Sequence, residues 1–188
     1  MDNNETSKTF QIEGENYKKL ISKEEIDNRV KEIGNQIFQD YKDNNGRDLV
    51  LVGVLTGAVV FLSDLAREIP HPRLRLDTVG ITSYEGSTES NRQPKFVSDL
   101  KDTIYDTDVI IVEDIVDTGY SMSSLLKILS AREPHSLKVA ALLSKPERRE
   151  IDVPIDYLGF EIPDVFVLGN GLDCQGAGRG FKDIVVKE

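Results

Sequence analysis

The run VIIVEDIVDTGYSM, Val109 to Met122, decides the fold. Its apolar start suits a buried strand covering Asp108 to Glu113, yet Glu113, Asp114 and Asp117 crowd its end. Thr118, Gly119 and Ser121 follow, and Ser121 to Arg132 then has helical spacing, with Leu125, Leu126 and Leu129 on one side. The run is a strand feeding a helix with acid at the junction. The same unit recurs on both sides of it. LVLVGVL, Leu49 to Leu55, and LKVAALLS, Leu137 to Ser144, are continuously apolar, as strands covered on both faces should be. Ser22 to Tyr41 is expected as a helix, with Ser22 and Glu25 as a capping box and Ile26, Val30, Ile33, Ile37 and Tyr41 on one face. AVVFLSDLAREI, Ala58 to Ile69, has helical spacing and stops at Pro70. Arg73 to Thr82 alternates like a strand, and shorter strands are expected over Asp156 to Phe160 and Val165 to Leu168.

Helices alternating with apolar strands imply an α/β fold: a mainly parallel twisted sheet flanked by helices. Ligands in such folds sit outside the carboxyl ends of the strands. No repeat or linker interrupts the chain, so residues 1–188 are expected to form a single domain. Residues 1–14 read as an arm or an edge segment. Residues 83–95, SYEGSTESNRQPK, are polar and rich in turn formers, which suits a long mobile loop of the lid kind.

The formal net charge of −10 argues against nonspecific nucleic-acid binding and against adsorption to an anionic membrane. A few N–H groups, a lysine or a metal can still hold a small anion in one pocket. The lone Cys174 cannot form an intrachain disulfide, and the polar, acidic start MDNNETSKTF lacks the pattern of a secretory signal. No apolar run approaches the roughly 20 residues that span a bilayer. The expected location is cytoplasmic. His71 lies between prolines and His135 follows Pro134, so both read as loop histidines. Cys174 reads as a bystander and Arg148-Arg149 as a solvated turn.

The 113–121 junction has its own chemistry. Gly119 permits a tight turn and close approach to a ligand. Thr118 and Ser121 offer hydroxyls, and the helix start offers free N–H groups with the positive end of its dipole. A phosphate fits there. The upstream carboxylates could accept hydrogen bonds from sugar hydroxyls, or hold Mg2+ with intervening waters. The junction therefore suits a sugar phosphate. It is neither a Walker A loop nor a GxGxxG fingerprint.

VIIVEDIVDTGYSM closely resembles the phosphoribosyl-diphosphate (PRPP) motif of type I phosphoribosyltransferases, in the form of the hypoxanthine/guanine branch. Four further segments agree in order and spacing. VGVLTGAVVFLSDL resembles the first active-site loop, with Thr56 and Gly57. Ser83-Tyr84 matches the start of the mobile loop. LLSKPERR places Lys145 at the purine-reading lysine, and GFEIPDVFVLGNGLD matches the base-binding segment.

The resemblance implies the type I phosphoribosyltransferase fold, with a small hood from the N- and C-terminal segments. It implies transfer of a 6-oxopurine onto PRPP with Mg2+, giving a nucleoside monophosphate and diphosphate. Glu113 and Asp114 would face the ribose hydroxyls and the metal. Asp117 would face N7 of the base as general base, and Thr118, Gly119 and Ser121 would wrap the 5′-phosphate. Lys145 would donate to O6, Phe166 would stack on the base, and the Val167 backbone would meet its edge. Asp173 would help hold Mg2+ on the diphosphate side, where Arg179 would offset charge. The resemblance also implies a homodimer or homotetramer.

The chain departs from the family pattern at three places. Thr56 stands where a lysine is usual, Cys174 where an aromatic usually follows the aspartate, and Gly178 where an aromatic usually precedes the arginine. Thr56 brings no charge to the diphosphate. That substitution motivates a second reading, a regulator that senses PRPP or a nucleotide without turnover; a third is a xanthine-preferring transferase, since xanthine differs at C2, where backbone and water contacts decide.

Overall fold

The computed structural model describes residues 10–12, 15–82 and 95–187. In chain order the elements are β1 (Phe10–Ile12), β2 (Glu15–Ile21), α1 (Lys23–Tyr41), β3 (Leu49–Leu55), α2 (Val59–Arg67), β4 (Leu74–Thr82) and β5 (Lys95–Ser98). They continue with β6 (Asp108–Val116), α3 (Tyr120–Ser130), β7 (Ser136–Ser144), a 3-10 turn (Pro146–Arg148), β8 (Tyr157–Glu161), β9 (Val167–Leu168) and β10 (Ile184–Lys187).

The large sheet has the order β5-β4-β3-β6-β7-β8. Its pairs are parallel except β4 with β5. Alternate residues of the central strands point to opposite faces. Leu49, Leu51, Ile110, Val112 and Leu142 pack with Ile33 and Ile37 of α1 and with Phe61 and Leu65 of α2. Val50, Val52, Val109, Ile111 and Val139 pack on the other face with Leu125 and Leu129 of α3. Helices thus cover both faces, which explains the unbroken apolar runs; each such side chain removed from water is worth about 1.5–3 kcal/mol. The capping box of α1 is present: Ser22 N donates to Glu25 Oε2 at 2.8 Å, and Glu25 N donates to Ser22 Oγ at 3.3 Å.

Chain order reverses between β3 and β6. From β3 the chain crosses through α2 to β4 on one side, and from β6 through α3 to β7 on the other. Such a switch point opens a crevice at the carboxyl ends of the two strands.

A second sheet, β1-β2-β10-β9, joins the N-terminal strands to the C-terminal ones. This is the expected hood. Of the segment 1–14, Phe10–Ile12 forms its edge strand. The sequence reading lacks β2, β5 and β10. In β2 the buried residues are Tyr17 and Ile21, four apart, so no period-2 signal exists. Strand β6 also runs past its expected end at Glu113: Ile115 pairs with Leu143 and Val116 with Ser144, so the β-branched residues after the acids stay in the ladder. His71 is buried, its Nδ1 accepting from the Arg73 N–H, whereas His135 is exposed.

Candidate active site

Three loops meet at the switch point: Thr56–Ala58 after β3, Asp117–Gly119 after β6, and the chain from Lys145 after β7. The first two, with the end of β6, line a cavity of about 230 Å³ through Gly57, Glu113, Asp114, Asp117, Thr118 and Ser121, among others. The structure brings these expected residues together. Ser83 and Tyr84 of the expected mobile loop lie outside the described residues.

Gly119 caps α3 with φ 92°. A Cβ at this position would stand 2.2 Å from the Ile151 carbonyl oxygen. Thr118 O accepts from the N–H groups of Glu150 and Ile151, each at 3.0 Å, which ties the loop to the segment after the 3-10 turn. Arg149 completes the tie. Its Nη2 donates to Ser144 Oγ at 2.8 Å and to Val116 O at 3.2 Å. The expected solvated turn holds for Arg148, which is exposed, and is corrected for Arg149. The short 3-10 turn after Lys145 folds both guanidiniums back onto the β6–α3 junction, and no periodicity in KPERR could have signalled that.

Asp114 is buried and accepts from the Ile115 N–H at 2.8 Å. Gly57 lies directly over it: a Cβ there would be 1.8 Å from Asp114 Oδ2. The peptide between Leu55 and Thr56 is cis. The Thr56 carbonyl accepts from the Val59 N–H, and the Thr56 side chain is exposed.

Burial pushes the Glu113 carboxyl well above its ordinary range, and the charge of Asp114 adds to this. Burial also raises Asp114, against the lowering effect of its hydrogen bonds and of Arg179. Glu113 thus has an acid, not a base, as its charged neighbour. Among the described residues no group of three or more His, Cys, Asp or Glu could cage a metal. A magnesium ion completed by substrate oxygens needs only one or two carboxylates, and an under-neutralised pair in a cleft fits that use.

The raised Glu113 value has a pH consequence. The folded chain holds a proton that the unfolded chain has already lost, so the pair's contribution to stability is full below the ordinary carboxylate value of 4.5 and is lost as pH rises through the elevated one. In Mg2+-free buffer the melting temperature of Glu113→Gln should fall less than that of wild type between about pH 5 and 8. Equal slopes would sink this account.

From the cavity wall at Asp117 four charged groups alternate in sequence of contact. Asp117 Oδ1 lies 2.9 Å from Arg148 Nε. The contact lacks hydrogen-bond alignment, so that oxygen is buried without a hydrogen-bonded partner among the described residues. Arg148 Nη1 is 3.5 Å from Asp164 Oδ1, and Lys145 Nζ is 3.7 Å from the same oxygen. Phe166 is 50% exposed, so its ring is available to a ligand and is not core, while Val167 is buried in β9. Asp173 and Arg179 hold each other: Arg179 Nη2 is 2.6 Å from Asp173 Oδ1, Arg179 Nη1 donates to Gly171 O, and the Gly176 N–H donates to Asp173 Oδ2. The two residues expected on the diphosphate side are therefore paired with one another. Cys174 is half-buried against the hood core.

A family model of the phosphoribosyl transferase domain matches residues 21–175. The chain belongs to that family. Among curated members of the phosphoribosyltransferase family, the chain is 45% identical over 154 residues to the hypoxanthine phosphoribosyltransferase of Escherichia coli (strain K12), covering 82% of this chain and 85% of that one. It is 45% identical over 156 residues to the hypoxanthine-guanine phosphoribosyltransferase of Dictyostelium discoideum, covering 82% and 86%. Among solved structures, a hypoxanthine phosphoribosyltransferase from Staphylococcus aureus superposes with a TM-score of 0.84 at 39% identity, covering 90% of each chain. All are phosphoribosyltransferases of the branch that the 109–122 motif resembles.

Proposed function

We propose that this phosphoribosyltransferase is a purine-salvage enzyme. It joins hypoxanthine, and guanine, to PRPP and releases diphosphate. The observation that carries this reading is the switch-point cavity, lined by the anion-binding helix start, the carboxyl pair and Asp117, with Lys145 joined to Asp117 through Asp164 and Arg148, and the exposed Phe166 two residues after Asp164.

In this reading the 5′-phosphate sits on the N–H groups of Thr118 to Ser121 at the start of α3. Glu113 and Asp114 receive the ribose hydroxyls and, with PRPP bound, hold Mg2+. Held there, the ion would supply charge neutralisation for the leaving diphosphate. The bond from C1′ to the diphosphate oxygen breaks with its electron pair leaving on diphosphate, and purine N9 bonds to C1′. Asp117 accepts the N7 proton as N9 attacks. Lys145 donates to O6, so adenine, which lacks that acceptor, leaves a buried donor unpaired. Phe166 stacks on the base, and the Val167 backbone meets its edge. Asp173 and Arg179 exchange their mutual contact for the diphosphate side, where Thr56 and Gly57 present backbone and no charge. Ser83 and Tyr84 belong to the loop that excludes water.

The expected result is nucleotide and diphosphate from PRPP, Mg2+ and hypoxanthine or guanine, with adenine turned over far more slowly. No product with hypoxanthine, guanine or xanthine would remove the reading. Tight PRPP binding without turnover would select the regulator, and a higher kcat/KM for xanthine the xanthine-preferring form. Assembly as a homodimer or homotetramer and a cytoplasmic location belong to the same reading. Among the described residues no helix is long and apolar enough to cross a membrane.

A further inference from the structure

We infer that Asp164 positions Lys145, and so helps set the preference for a 6-oxopurine. The inference rests on the purine-salvage reading.

Lys145 is the residue that leaves β7, and its backbone N–H donates to Val116 O at 3.0 Å, which fixes the stem. Its side chain is only 8% exposed. A buried ammonium is costly without a counter-charge. Asp164 is the one carboxylate within 4 Å of Lys145 Nζ among the described residues. The alternative for a flexible four-carbon stem without that anchor is several orientations in place of one.

The same Asp164 oxygen also draws Arg148, whose Nε reaches Asp117. Asp164 therefore joins the donor assigned to O6 with the carboxylate assigned to N7. O6 and N7 lie on one edge of a 6-oxopurine, so Asp164 ties together the two groups that read that edge. Asp164 sits on a tight turn, with the Val165 N–H donating to Pro163 O at 2.8 Å, two residues before the exposed ring of Phe166. One short segment then supplies both the stacking ring and the anchor for the lysine.

Asp164 is half exposed and lies beside the residues assigned to the base, away from the phosphate loop. Its effect should therefore appear in purine binding. Steady-state rates with PRPP and Mg2+ separate the possibilities for wild type, Asp164→Asn, Asp164→Glu, Lys145→Gln and the Asp164→Asn/Lys145→Gln double variant. Asp164→Asn should raise the hypoxanthine KM about 10-fold, inside the usual coupling between contacting groups. The PRPP KM and kcat should stay close to wild type. The hypoxanthine-to-adenine ratio of kcat/KM should narrow by a similar factor. Asp164→Glu should recover most of the loss, and adding Asp164→Asn to Lys145→Gln should cost little more. An unchanged hypoxanthine KM, or equal losses for hypoxanthine and PRPP, overturns the positioning role. Wild type that makes no nucleotide from any 6-oxopurine overturns the salvage reading with it. An active wild type whose Lys145→Gln variant keeps full discrimination removes Lys145 as the O6 reader and the inference with it.

Discussion

Asp117→Asn should lower turnover with hypoxanthine by about 10²–10⁴, the usual size of losing a general base. The change keeps the shape of the side chain and removes its basicity. Asp117 stands at the mouth of the loop after β6, with Oδ1 buried and without a hydrogen-bonded partner among the described residues. Its neighbour Arg148 supplies positive charge at 2.9 Å without satisfying it. Hypoxanthine binding should survive, because Lys145 and Phe166 are untouched, so the loss belongs in kcat. Single-turnover rates with PRPP and Mg2+ measure it. Unchanged turnover would remove Asp117 from the proton transfer.

Gly57→Ala should lower kcat/KM for PRPP by about 10²-fold, the scale of misplacing a reacting group by about 1 Å. The new Cβ would fall 1.8 Å from Asp114 Oδ2 and 2.6 Å from its Cγ. Asp114 is buried and lies within the β6 strand, so it cannot step aside freely. Either the loop after β3 lifts or the carboxylate turns from the sugar site. Initial rates against PRPP at saturating hypoxanthine give the effect. Wild-type kcat/KM in this variant would show that the loop and the carboxylate need not be in close contact.

Much of this site is legible in the sequence because its chemistry is local. Residues 113–121 carry carboxylates, hydroxyls and a left-handed glycine within one strand-to-helix turn, and the continuous apolar runs on either side locate the sheet. Of the hood strands β9 was legible, within the expected Val165 to Leu168, while β2 and β10 were not. In β2 two buried residues four apart serve a short antiparallel sheet whose partner lies at the opposite end of the chain, so local spacing holds no trace of it. Arg149 was missed for a similar reason. Its partners, Val116 O and Ser144 Oγ, sit on two different strands, and only the assembled sheet brings them together. The Asp173–Arg179 pair was visible as two residues but not as a contact.

The order of the small sheet carries a consequence for biosynthesis. Strand β9, which begins one residue after Phe166, is hydrogen-bonded to β10, and β10 in turn to β2, with Ile184 opposite Ile21. Lys23 N, at the start of α1, also donates to Asp183 Oδ1 at 2.7 Å. The phosphate loop, whose ties reach no further than Ile151, can therefore take shape once the chain has been made to that residue. The base platform must wait until Lys187 has been made, because its supporting strand is closed between the two ends of the chain. A nascent chain stalled before β10 would be a half-built catalyst, able to form the sugar-phosphate cradle while its purine shelf is still unsupported.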